Sequence, residues 1–107
     1  MNLNIYYFIN EFNKKEIEKL SSNISIIYRN YEKKKNYSEL KDLVTFCKKK
    51  RQKIYISNDL KSAIQFNFNG IYIPAFNKNL SFKNISRNNL EIIGSAHNFE
   101  ELKTKEK

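Results

Sequence analysis

Two glycines, one proline, one cysteine and no tryptophan in 107 residues narrow the chemistry before any motif is sought. A single cysteine excludes an internal disulfide and the cysteine clusters of structural zinc sites. The two glycines, Gly70 and Gly94, are too few for a dinucleotide turn and too far apart for a Walker loop, and the turn after the first apolar run reads Asn10-Glu11-Phe12 instead. No apolar run approaches ~18 residues, so no membrane span is expected. No basic segment precedes the first apolar run, so no signal peptide is expected either, and the expected location is the cytoplasm. Arginine is scarce too, at 3 of the 20 cations.

What is present is apolar and basic. The residues are 40% hydrophobic and 29% charged, with 15 Phe and Tyr, a composition that folds. At this length one domain, spanning 1–107, buries roughly 60–65% of its unfolded surface. The net charge of +9 invites phosphate, but the excess lies in Lys, which rises together with Asn and Ile as in an AT-rich genome. Lys lacks the planar fork that reads phosphates and bases, so nucleic acid is not the expected partner. Lys33 to Lys35 and Lys48 to Arg51 are the runs through which a small basic module would bind RNA or an acidic protein, the alternative reading.

Five short apolar runs start at Ile5, Ile24, Ile54, Ile71 and Glu91. They are β-branched, aromatic and continuous, which suits strands covered on both faces in a parallel sheet. Helical spacing fills the intervals. Asn13 and Glu16 resemble a capping box ahead of Ile17 and Leu20. Ser38 is the expected cap of a helix whose Leu40, Leu43, Val44 and Cys47 fall on one face, which makes Cys47 a core residue. Leu60, Ala63 and Ile64 form a shorter face, 77–89 is weakly helical, and Asn98 with Glu101 opens a last helix. Alternation of this kind implies right-handed crossovers. The expected fold is α/β: a partial TIM (β/α)8 barrel of about five parallel βα units, or an open parallel sheet.

Parallel α/β folds keep their chemistry at the carboxyl ends of the strands. Those ends carry Asn10 and Glu11, Arg29 and Asn30, Asn58 and Asp59, Asn77, and then Ser95, His97 and Asn98. Asn, Asp and Ser are ordinary caps. Arg29 and His97 are not, and an arginine closing an apolar strand calls for an anion. Asp59 is of the type that holds Mg²⁺ beside a substrate phosphate.

The strand ends "IYYFI", "IIYRNY", "IYISND", "GIYIPAF" and "IIGSAHN" resemble, in order and spacing, the first five units of the thiamine phosphate synthase/TenI family of barrels. The resemblance implies a transferase of thiamine biosynthesis that couples hydroxymethylpyrimidine diphosphate to thiazole phosphate and releases pyrophosphate. It implies Mg²⁺ as cofactor, phosphorylated pyrimidine and thiazole as partners, and a chain truncated relative to the family barrel. Carried over residue by residue, Arg29, Asn58 and Ser95 contact substrate, Asp59 and Asn77 hold the metal, and His97 is catalytic. In the TenI tautomerases of this group the histidine moves protons on the thiazole, the alternative within the family. The chain departs from the pattern at Ile27 and Tyr31, where the family has Gln and Lys. It departs again at Tyr72, Pro74 and Ala75, in place of a His-x-Gly-Gln stretch, and at Asn77 in place of a second metal-binding Asp. An incomplete barrel leaves its fifth strand as an apolar edge, so self-association through that edge is expected.

Overall fold

The structure, a computed structural model, describes residues 5–30, 36–73 and 89–94. The element order is β1 (Ile5–Ile9), α1 (Lys14–Glu18), β2 (Ile24–Tyr28), α2 (Tyr37–Lys49), β3 (Ile54–Ser57), α3 (Leu60–Gln65), β4 (Gly70–Ile73) and β5 (Glu91–Gly94). All five strands are parallel and lie in the order β1-β2-β3-β4-β5, each beside its predecessor. The α/β expectation with parallel strands therefore holds. A doubly wound sheet needs a point where strand order reverses, and the described strands have none.

One face of the sheet carries the core. Ile9, Ile26, Tyr28, Ile54, Ile56, Ile71 and Ile73 form a single buried cluster with Ile17 of α1, Leu40, Leu43, Val44 and Cys47 of α2, and Ala63 of α3. All three helices therefore pack on the same side, as right-handed crossovers between consecutive neighbours require. Each fully buried Ile or Leu here contributes about 1.5–3 kcal/mol by leaving water. Cys47 has no exposed surface, and burial raises its thiol to about 11. A raised thiol favours the fold below its free value near 9, and that contribution fades as pH rises through about 11. Native protein at pH 8 is expected to resist thiol-specific alkylation that urea-unfolded protein undergoes at once. Rapid native labelling would show that Cys47 is not in the core.

The opposite face is aromatic. Registration places Tyr6 and Phe8 of β1, Ile27 of β2, Tyr55 and Ser57 of β3, and Tyr72 of β4 on it. Ile27 and Tyr55 are buried but stand outside the helix-side cluster. Phe8 and Tyr72 meet edge to face at 5.2 Å between ring centroids, and Tyr6 meets Tyr55 at 6.3 Å. In a flat sheet the backbones of β1 and β4 would lie three strand spacings apart, about 14 Å. Rings standing off such a sheet could not touch, so the sheet curls towards its aromatic face.

Local chemistry sets the helix starts. Asn13 Oδ1 accepts from the Glu16 amide at 3.2 Å, as the sequence indicates. The reciprocal half of a capping box is not made, because Glu16 Oε2 accepts from the Tyr7 hydroxyl at 2.6 Å. The second cap is Asn36, not Ser38: Asn36 Oδ1 accepts from the Glu39 amide at 3.2 Å, and α2 already begins at Tyr37. An earlier Asn offered the same side-chain acceptor. Ile64, expected to face inward, is 37% exposed, while Ser62 and Ala63 are the buried residues of α3. A helix of six residues makes too few turns for the i, i+4 spacing to decide its face.

A polar plug closes the amino-terminal end of the sheet. Gln52 is 2% exposed and its Nε2 donates to Ser21 O at 3.1 Å and Ile24 O at 2.8 Å. Lys50 Nζ donates to Gln52 Oε1 at 3.1 Å, to Ile17 O at 2.8 Å and to Leu20 O. These carbonyls lie at and just beyond the carboxyl end of α1, where helices leave acceptors unpaired. Lys50, one of the cations in the run from Lys48 to Arg51, is thus spent inside the fold.

Candidate functional site

Because the strands are parallel, the ends of β1, β2 and β3 open on one rim, and three of the six expected site residues lie there: Arg29, Asn58 and Asp59. Asn77, Ser95 and His97 lie outside the described residues, as do Lys33 to Lys35, the stretch 74–88 and the last helix. Arg29 follows β2 directly, and its amide donates to Ile9 O at 2.8 Å, fixing it to the end of β1. Its guanidinium sits 4.3 Å from the centroid of the Phe8 ring. Among the described residues no carboxylate forms an ion pair with Arg29; the one such pair is Lys53–Glu91, on the amino-terminal strand ends. The cation lies over the ring and, among the described residues, its N–H fork meets no carboxylate.

Asn58 follows β3 in the left-handed region, at φ 53, and its amide donates to Tyr72 O at 3.0 Å. Its Oδ1 is shut away from solvent and has no hydrogen-bond partner among the described residues. An orphaned buried acceptor costs about 1–3 kcal/mol, and such groups gather where a ligand completes them. Next to it, Asp59 Oδ1 accepts from the Ser62 amide at 3.0 Å and caps α3. The carboxylate expected to hold Mg²⁺ is thus engaged in starting a helix. Among the described residues no three His, Cys, Asp or Glu side chains cluster as metal ligands. Mg²⁺ sites of the expected kind use one or two carboxylates with substrate phosphate and water, and here the Asp59 Oδ1 is shared with the Ser62 amide.

The rim is braced by Glu39, which the sequence did not single out, and by Asn30, which it did. Glu39 Oε2 accepts from the Phe12 amide at 3.1 Å, and its Oε1 accepts from the Tyr28 hydroxyl at 3.0 Å. Asn30 Nδ2 donates to Asn10 O at 2.9 Å, joining the turns that follow β1 and β2. Burial first, together with the Glu39 carboxylate, raises the Tyr28 hydroxyl above its ordinary value. It therefore stays a proton donor to Glu39 at neutral pH. The available signal was the repetition of Asn-x-x-Glu at Asn13–Glu16 and Asn36–Glu39, in each case after a strand bearing a tyrosine. Tyr7 and Tyr28 both donate to the Glu at the third helical position of the following helix.

Among the described residues the arrangement offers a guanidinium without an ion-pair partner, the paired Phe8 and Tyr72 rings, and a buried carbonyl oxygen without a donor. Comparison with protein-family models, curated proteins and solved structures gives no match for the chain.

Proposed function

We propose that the carboxyl rim binds a small phosphorylated heterocycle of the thiamine-pathway kind, in the manner of the thiamine phosphate synthase/TenI family that the strand ends resemble. The fold reading that goes with it is the leading part of a barrel. Its support is the unreversed order of five parallel strands, three helices on one side and the curl that brings Phe8 against Tyr72. The observation that carries the functional reading is Arg29, held on the Phe8 ring without a carboxylate partner among the described residues. It is a preset anchor for a phosphate whose ring lies along the aromatic wall. Asn58 Oδ1 would take a ring or amino N–H. The engagement of Asp59 as a helix cap favours the metal-independent tautomerase reading over the Mg²⁺-dependent coupling reaction.

Calorimetric titration with thiazole phosphate and with hydroxymethylpyrimidine diphosphate tests this. The chain is expected to bind at least one of them, and Arg29→Ala to weaken binding at least tenfold, ~1.4 kcal/mol. Asn58→Gly separates binding from folding. Glycine accepts φ 53 without strain and removes the orphaned oxygen. Thermal stability is expected to hold or rise while affinity falls. The reading is wrong if neither compound binds, or if Arg29→Ala leaves affinity unchanged. Pyrophosphate release that requires Mg²⁺ would restore the coupling reaction.

A further inference from the structure

The edge expected to drive self-association is β5, yet its Ile92 and Ile93 are only half-exposed, whereas β1 exposes three of its five side chains. Ile5 is 53%, Tyr6 38% and Phe8 40% exposed. Three properties of β1 together specify what would cover it. First, the backbone groups are directed. Ile9 O receives the Arg29 amide, so Ile9 faces β2, and the alternation of a parallel ladder turns the N–H and C=O of Tyr6 and Phe8 off the sheet. No described strand pairs with that side. The cover must therefore offer backbone, as another strand does.

Second, the exposed side chains lie on both faces, Ile5 on the helix side and Tyr6 and Phe8 on the aromatic side. A helix or loop laid on one face would leave the other wet; only a strand that is itself apolar on both faces continues both layers. Third, β1 has that character. Its sequence IYYFI contains no charge and none of the lysines, prolines or bulges that guard natural edges.

We propose that β1 pairs with β1 of a second copy of this chain, antiparallel about a two-fold axis through Tyr7. Of the registers in which outward-facing backbones meet, this is the one that pairs both Tyr6 and Phe8 within β1. Tyr6 exchanges N–H···O=C bonds with Phe8 of the second copy, Tyr7 stands opposite its own counterpart, and Ile5 lies against Ile9. The exposed Ile5 is then covered by an isoleucine, and the Tyr6 and Phe8 rings extend the aromatic layer across the seam. Each copy carries +9, so the pair forms against mutual repulsion and tightens as salt screens it.

The register is tested by disulfide trapping. A two-fold, non-hydrogen-bonded antiparallel pair holds its Cα atoms ~4.5 Å apart, within disulfide range. Tyr7→Cys is expected to cross-link as a dimer under mild oxidation, and Ile5→Cys, displaced from the axis, is not. Cys47 is buried and stays out of the reaction. Sedimentation of the unaltered chain at ~100 µM is expected to show dimer, more of it at high salt. Tyr6→Pro, which removes an outward N–H without touching the β2 ladder, is expected to weaken the dimer about tenfold. A monomer at that concentration overturns the proposal. So does a dimer in which Ile5→Cys cross-links as fast as Tyr7→Cys, which would mean another register or another edge. If Tyr6→Pro does not fold, the cross-linking pair decides alone.

Discussion

Gly70→Ala is expected to destabilise the domain by about 3 kcal/mol, the upper end of overpacking costs. Gly70 pairs with Glu91 where β4 meets β5, and a methyl group there would overlap the Glu91 carbonyl oxygen and lie 2.8 Å from its carbon and 2.9 Å from its nitrogen. Backbone cannot swing aside as a flexible side chain can. The strands must part, taking with them the Tyr55 hydroxyl bond to Glu91 at 2.9 Å and the Lys53–Glu91 pair. Urea titration should show the loss, and the melting temperature should fall by roughly 10–20 °C. Ser25→Ala, a small residue on β2, serves as the control and should change little. A Gly70→Ala melt within a degree or two of the unaltered chain would mean that β4 and β5 are not so closely paired.

Gln52→Leu should cost a similar amount, about 3 kcal/mol, for an electrostatic reason. Leucine matches the volume but gives nothing to Ser21 O and Ile24 O, and it takes away the acceptor that orients the Lys50 ammonium. Buried carbonyls left without donors carry the desolvation penalty in full. Gln52→Glu is the sharper comparison: it sets a carboxylate oxygen against the Ser21 and Ile24 carbonyls but offers the Lys50 ammonium a charged acceptor in partial compensation. It should fall between the parent and Gln52→Leu near neutral pH, by chemical denaturation. Equal stability of all three would show that the plug has no energetic role.

The sequence made the strands plain because each is a compact block of Ile, Tyr and Phe bounded by polar residues, and a block of that kind buried on two faces has few other places to go. All five were legible to within a residue of their observed ends. The caps were less so. Asn36 and Ser38 both present a short side-chain acceptor before the same apolar face, and nothing local separates them. Ile64 misled because α3 is too short for periodicity to outvote packing. At the rim, Arg29 stood out as a charge that ends an apolar strand, but its partner, the Phe8 ring, lies a strand away and no spacing announces it. The same holds for Gln52 and Lys50, whose partners are backbone carbonyls some thirty positions off. Long-range polar contacts leave no period behind them.

Laying each strand beside its predecessor has a consequence for synthesis. No early strand waits for a later one to slip between it and its neighbour, so the order of translation can be the order of assembly. As the ribosome releases each βα unit, it meets a sheet edge already formed, and loop closure stays short throughout. Ribosome-stalled nascent chains should accordingly gain protease resistance stepwise, one strand at a time.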